Sequence, residues 1–284
     1  MVLESLLSPE GAEHNPWALA ILGFIFVTIG IFATDYLLPS APSLLLAALV
    51  ALPVGPLVLK LFDYEEYEVE DGETKWGSHT FARHFPVVIT LASLFIGMAA
   101  GFGFWYMALP QDKTTTLFEA QNQELAGIGS LFSGNAVFAP QPSDFGSVFE
   151  TIFLHNLGVL VLVLAFSLIY GAGAVLILIW NASVIAVFIG NFAKEFIWHQ
   201  APAYSILAGA GAGFLGLLPH GSMELVAYLL AALAGGILSC AIIRRDHIER
   251  HVGRVAYDIV KLTAWSVVFL AIGAAIEASS IVGV

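Results

Sequence analysis

The sequence predicts an all-α fold, a polytopic transmembrane helical bundle of about seven spans plus one Gly-rich re-entrant or short spanning segment. Three observations predict it. Of 284 residues, 58% are apolar and 11% are charged, where a soluble domain carries about 25% charge. That leaves too little polar cover for a water-facing surface and excludes a soluble enzyme. Mean hydropathy is +0.86. Apolar runs of roughly 18 residues or more, the length a bilayer-crossing helix needs, recur along the whole chain.

The first run, 17–34, opens at Asn15-Pro16, where Asn caps and Pro fits the first helical turn. The second, 43–62, carries Pro53 and Pro56, which are expected to bend it. Residues 63–84 form the most polar stretch, with seven acids among the eleven residues from Asp63 to Glu73, and read as a solvated loop or domain-sized hairpin, not a span. A third run, 85–109, stops at Pro110. The polar, Gly-rich connection that follows, 111–147, is expected to hold an amphipathic interfacial helix around 118–131. Residues 151–192 provide two spans joined at Tyr170-Gly171-Ala172-Gly173. The Gly-rich segment 203–219 is at the lower limit of spanning length, whereas 221–243 and 255–276 are clear spans. The chain thus divides into a three-span region at 1–109 with an acidic loop at 63–84, a polar connection at 110–150, and a core at 151–284.

The 22 acidic and 10 basic residues give a net charge of −12. That sign argues against nucleic acid as a partner, because phosphate binding needs clustered Lys and Arg. The lone cysteine, Cys240, sits in an apolar run, so no disulfide framework is expected. Residues 1–15 contain Glu4, Glu10, Glu13 and His14 but no Lys or Arg, which does not fit a basic signal-peptide start. Arg244, Arg245, Arg250, Arg254 and Lys261 cluster between the last two spans and place that connection in the cytoplasm. With 203–219 re-entrant, Lys60, Lys75 and Arg83 are cytoplasmic too, and Lys113 and Lys194 lie outside. The expected arrangement in the cell membrane is a cytoplasmic N-terminus and an extracytoplasmic C-terminus.

Few polar groups remain inside the spans. His220 and Glu224 are four residues apart, hence on one helix face a turn apart, where they can share a proton, ligate an ion or hold each other. Ionisable groups inside the membrane are costly and mark sites by default. The competing reading is a helix start after Pro219, with Glu224 favoured by the helix dipole. The spacing HxxxE lacks the second His of a zinc-protease motif. Glu277 stands at the same end of the last span and is expected within reach of both through a water or ion. His155 and Asn156 open the long apolar pair. Asn181 lies inside a span, where its amide is expected to bond a neighbouring helix. Gly211-Ala212-Gly213-Phe214-Leu215-Gly216 spells a dinucleotide fingerprint without a βαβ context, and reads as close packing or a re-entrant turn instead. Glu65 and Glu66 with His79 and His84 would bind a cation or a basic partner, the simpler reading being a solvated charge run.

The stretches Phe153-Leu154-His155-Asn156-Leu157-Gly158, Tyr170-Gly171-Ala172-Gly173, Trp180-Asn181-Ala182-Ser183, Leu218-Pro219-His220-Gly221-Ser222-Met223-Glu224-Leu225 and Ala275-Ile276-Glu277-Ala278 together resemble the stage II sporulation protein M family. The likeness is to its archaeal branch and covers about residues 149–278. The family motif maps onto Asn156, Asn181, His220, Glu224 and Glu277; the departure is His155, which separates this chain from close archaeal relatives at that position. The resemblance implies a multi-spanning, non-enzymatic scaffold or assembly factor. In spore formers such a scaffold holds cell-wall hydrolases during engulfment, a role that does not transfer to archaea.

Three readings follow. The first is a scaffold for other membrane proteins or for self-association. The alternative is an ion- or proton-coupled transporter or channel using His220, Glu224 and Glu277, since discontinuous helices form such sites. The third is an intramembrane metal hydrolase, with one His and two Glu as ligands. No cofactor is expected beyond a cation bound at the cluster.

Overall fold

The computed structural model describes residues 9–37, 43–71, 80–132, 144–171, 173–198, 203–243 and 252–283. These form ten helices and no strand: α1 (Pro9–His14), α2 (Pro16–Leu37), α3 (Ser43–Asp71), α4 (Thr80–Ala108), α5 (Gln111–Leu117), α6 (Glu119–Phe132), α7 (Phe145–Tyr170), α8 (Ala174–Trp198), α9 (Ala203–Ile243) and α10 (Val252–Val282). Among them, seven are long and apolar enough to cross a membrane: α2, α3, α4, α7, α8, α9 and α10. The protein is a multi-pass, all-helical membrane protein. Arg244, Arg245, Arg250, Lys75 and His79 lie outside the described residues.

The helix boundaries follow local chemistry. Asn15 separates α1 from α2, and its carbonyl accepts from Ala18 N–H at 3.1 Å. The α7–α8 hairpin turns at Gly171, whose φ of 64° suits a residue without a Cβ. Pro53 and Pro56 leave α3 continuous. The connection after Pro110 holds α5 and α6, the second at the place the amphipathic pattern predicts.

Two expectations are corrected. The described ends of the 63–84 stretch are helical and not solvated throughout: α3 runs on to Asp71, α4 starts at Thr80, and Glu65 and His84 are 3% and 1% exposed. An acid-rich run can continue a helix when some of its carboxylates find partners in a neighbouring helix. Residues 203–219 form no separate element. Pro219 lies within α9, which is 41 residues long and so about 60 Å at 1.5 Å per residue. The proline removes one rung of the backbone ladder without ending the helix. Its glycines also differ from the expected packing. Gly213 lies against Ile189 and Phe192, but Gly211 and Gly216 have open space beside them.

In lipid no hydrophobic force draws apolar helices together, so small residues and cross-helix hydrogen bonds take over. Gly97 brings α4 onto the backbone of α2 at Ala20, where a Cβ would collide. Trp105 Nε1 of α4 donates to Thr28 Oγ1 of α2 at 2.9 Å. Tyr106 OH donates to Asn191 Oδ1 of α8 at 2.6 Å, with the Lys194 ammonium 4.0 Å from the Tyr106 ring centre. Lys113 of α5 pairs with Asp35 of α2, and that hydrogen bond holds the exposed ammonium above its ordinary pKa.

Gly97→Leu forces α2 and α4 apart, at about 1–3 kcal/mol for overpacking. The melting temperature in detergent should fall by about 3 °C or more. Gly211→Ala, with space to spare, should hold or raise it.

Candidate functional site

The site is built around α9. From Ala227 to Ala234 and on to Ile237 its side chains are buried on every face, the signature of a helix enclosed by others. α3, α4, α7, α8 and α10 all pack against it. Glu224 and His220 lie one and two turns before that enclosed stretch, so they are carried into the bundle. Gly273 of α10 sits against His220 and Glu224, where a Cβ would lie 3.1 Å from the Glu224 Cγ. Glu277 follows one turn later on the same face of α10. Val148 and Ile152 of α7 pack on Ala274 and Ala278, which brings the start of α7 to the same level.

These elements enclose a cavity of about 890 Å³. His155, Asn156, Asn181, His220, Glu224 and Glu277, six residues singled out from sequence, all line it. Asn156 Nδ2 donates to Glu224 Oε1 at 2.7 Å, tying α7 to α9. Trp180 Nε1 of α8 donates to Glu124 Oε2 of α6 at 2.6 Å. Beside that bond, Gln121 Nε2 donates to Ser183 Oγ at 3.0 Å. The polar connection is thereby anchored to the bundle and contributes a third carboxylate to the cavity. Among the described residues the Glu277 carboxylate has no hydrogen-bond or ion-pair partner; only its backbone carbonyl is engaged, accepting from Ser280 Oγ at 3.0 Å.

Two expected contacts are redrawn. Among the described residues no hydrogen bond or ion pair joins His220 to Glu224; the carboxylate is taken by Asn156 from the facing helix. Among the described residues Asn181 bonds no neighbouring helix. Its Nδ2 donates to the Ile177 carbonyl one turn back on α8, at 2.9 Å, which satisfies the amide locally. Among the described residues no three His, Cys, Asp or Glu side chains converge on a point that would hold a metal ion. Sequence reasoning missed Glu124, Tyr228 and Gly273. Glu124 sits in a connection of ordinary polarity, and only the fold shows that it turns inward.

The sequence model of the family described as Stage II sporulation protein M matches residues 91–279. The chain belongs to the stage II sporulation protein M family. No curated protein and no solved structure matches it. The match begins inside α4, earlier than the motif-bearing stretch at 149–278, and it contains all three cavity carboxylates.

A second polar cluster joins the family-matched region to the helices before it. Arg83 Nη1 of α4 donates to Asp258 Oδ2 of α10 at 2.7 Å. His84 Nδ1 bonds Glu65 of α3, and its Nε2 lies 3.8 Å from Asp258 Oδ2. Glu65, His84 and Asp258 are all buried. Of the expected cation-binding group here, Glu65 and His84 therefore bond each other; His79 and the Glu66 side chain lie outside the described residues.

Removing one member of a buried charge cluster leaves the others uncompensated. Asp258→Ala should cost on the order of 3 kcal/mol, read as a fall in melting temperature. Asn156→Leu, which deprives Glu224 of its donor, should cost about 1–3 kcal/mol by the same measurement.

Proposed function

We propose that this member of the stage II sporulation protein M family is a membrane transport protein that holds a cation or proton in the cavity between α7, α8, α9 and α10. One observation carries the reading: Glu124, Glu224 and Glu277 line a single cavity whose described lining contains no Lys or Arg, and its two histidines, His155 and His220, bond none of the three among the described residues. Carboxylates withdrawn from water without basic partners are expensive. Charge balance comes from a proton or from a bound cation, and either makes the cavity a cation site. Family membership supports the other reading, a scaffold that assembles membrane proteins. Such a scaffold has no need of uncompensated carboxylates inside the bilayer, and this favours transport.

The positive-inside rule supports a cytoplasmic connection between α9 and α10. Seven crossings then give a cytoplasmic N-terminus and an extracytoplasmic C-terminus, with the carboxylates nearer the outer face.

Purified protein in liposomes should carry proton or alkali-cation flux, followed with an internal pH dye under an imposed Na⁺ or K⁺ gradient. Glu224→Gln should lower the flux about tenfold or more, the scale of losing one charged partner. Flux equal to that of empty liposomes for the native chain, or identical for both proteins, overturns the proposal.

A further inference from the structure

The shape of the cavity specifies the kind of cation. Its carboxylates, Glu224, Glu277 and Glu124, share the lining with Asn156, Asn181, His155 and His220. From Asn156 the lining continues along α7 as Val159, Leu162 and Phe166, about 15 Å from Asn156 to Phe166 at 1.5 Å per residue. α8 supplies the opposite apolar wall with Leu176 and Ile177. A small ion at the carboxylates leaves the long apolar extension unfilled. Among the described residues the carboxylates do not converge on a single metal-sized point.

Leu162 of α7 and Leu176 of α8 line the cavity and are 51% and 40% exposed. Both lie within spanning helices, and α7 and α8 both pack on α9, so the apolar extension runs at the depth of the acyl region of the bilayer.

We propose that the ligand is a single-chain cationic amphiphile, with an ammonium head at Glu224 and Glu277 and its alkyl chain lying between α7 and α8. This rests on the cation reading above and adds to it a tail. An ammonium head complements the carboxylates, and the tail lies along Leu162 and Leu176. Each half of the ligand then meets matching chemistry.

The experiment uses the full chain in lipid nanodiscs and reads saturable quenching of Trp180, which lines the cavity, by alkyltrimethylammonium ions brominated along the chain. The Trp180→Phe protein gives the background from the other tryptophans. Affinity should rise with chain length from tetramethylammonium, measured by competition, to the twelve-carbon homologue. It should fall about tenfold in Glu277→Gln, which keeps the shape of the side chain. Val159→Phe, which fills part of the tail region without adding a tryptophan, should weaken the long homologue while leaving tetramethylammonium unchanged. Equal affinity for tetramethylammonium and the long homologue, with Glu277→Gln weakening both, overturns the amphiphile proposal and leaves the cation reading intact. Equal binding of an uncharged maltoside of the same chain length, insensitive to Glu277→Gln, overturns both.

Discussion

One stretch of α9, from Ala227 to Ile237, decides the architecture. Five helices surround it, and they can do so because alanines and glycines occupy much of its circumference. Larger side chains would hold the neighbours off, and in lipid nothing apolar would draw them back. An enclosed helix has no lipid-facing side to which a polar group can retreat. Glu224, one turn away from the enclosed stretch, therefore faces protein, and the bond from Asn156 follows from that placement. Gly273 completes it by letting α10 come down on the same turn. The cavity is what remains where α7 and α8 fail to close over α9.

Polar ties finish what close packing begins, and they divide by depth. At the level of the cavity, Asn156 to Glu224, Trp180 to Glu124 and Gln121 to Ser183 connect α7 to α9 and α6 to α8. At the other end, Glu65, His84, Arg83 and Asp258 fasten α3 and α4 to α10. The two groups differ in kind. The second contains a guanidinium and an imidazole facing its two carboxylates, so its charges offset one another within the protein. The first has three carboxylates and no Lys or Arg in its described lining, and its two imidazoles, His155 and His220, bond none of those carboxylates among the described residues, which is why the functional reading is placed there.

Most of the fold was legible because membrane helices announce themselves by length and hydropathy, and the Asn15-Pro16 and Gly171 boundaries obey local rules. Within the acidic run at 63–71, the burial of Glu65 was not legible because charge density alone does not reveal a partner; His84 lies in another helix, and only tertiary packing brings it to Glu65. Pro219 misled in the same way, since a proline in a long apolar helix can be absorbed when neighbours support it. The six candidate site residues were legible from rarity, being polar groups in apolar runs. Their pairing was not. Spacing of four residues suggested His220 with Glu224, yet the stronger donor came from α7, and Asn181 found its acceptor on its own helix. Glu124 could not be found from sequence because its connection is as polar as any loop.

The most direct test of the central claim, that carboxylates inside the bundle form an accessible cation site, is reaction with a hydrophobic carbodiimide followed by mapping of adducts by mass spectrometry. This reagent enters membranes and modifies carboxyl groups held in apolar surroundings. The structure leads us to expect adducts at Glu277, the carboxylate with no described protein partner, with Glu224 following when Asn156 is removed, and to expect added cation to suppress them. Adducts confined to water-facing acids such as Asp112 and Glu119, with Glu224 and Glu277 untouched in every case, would contradict the account.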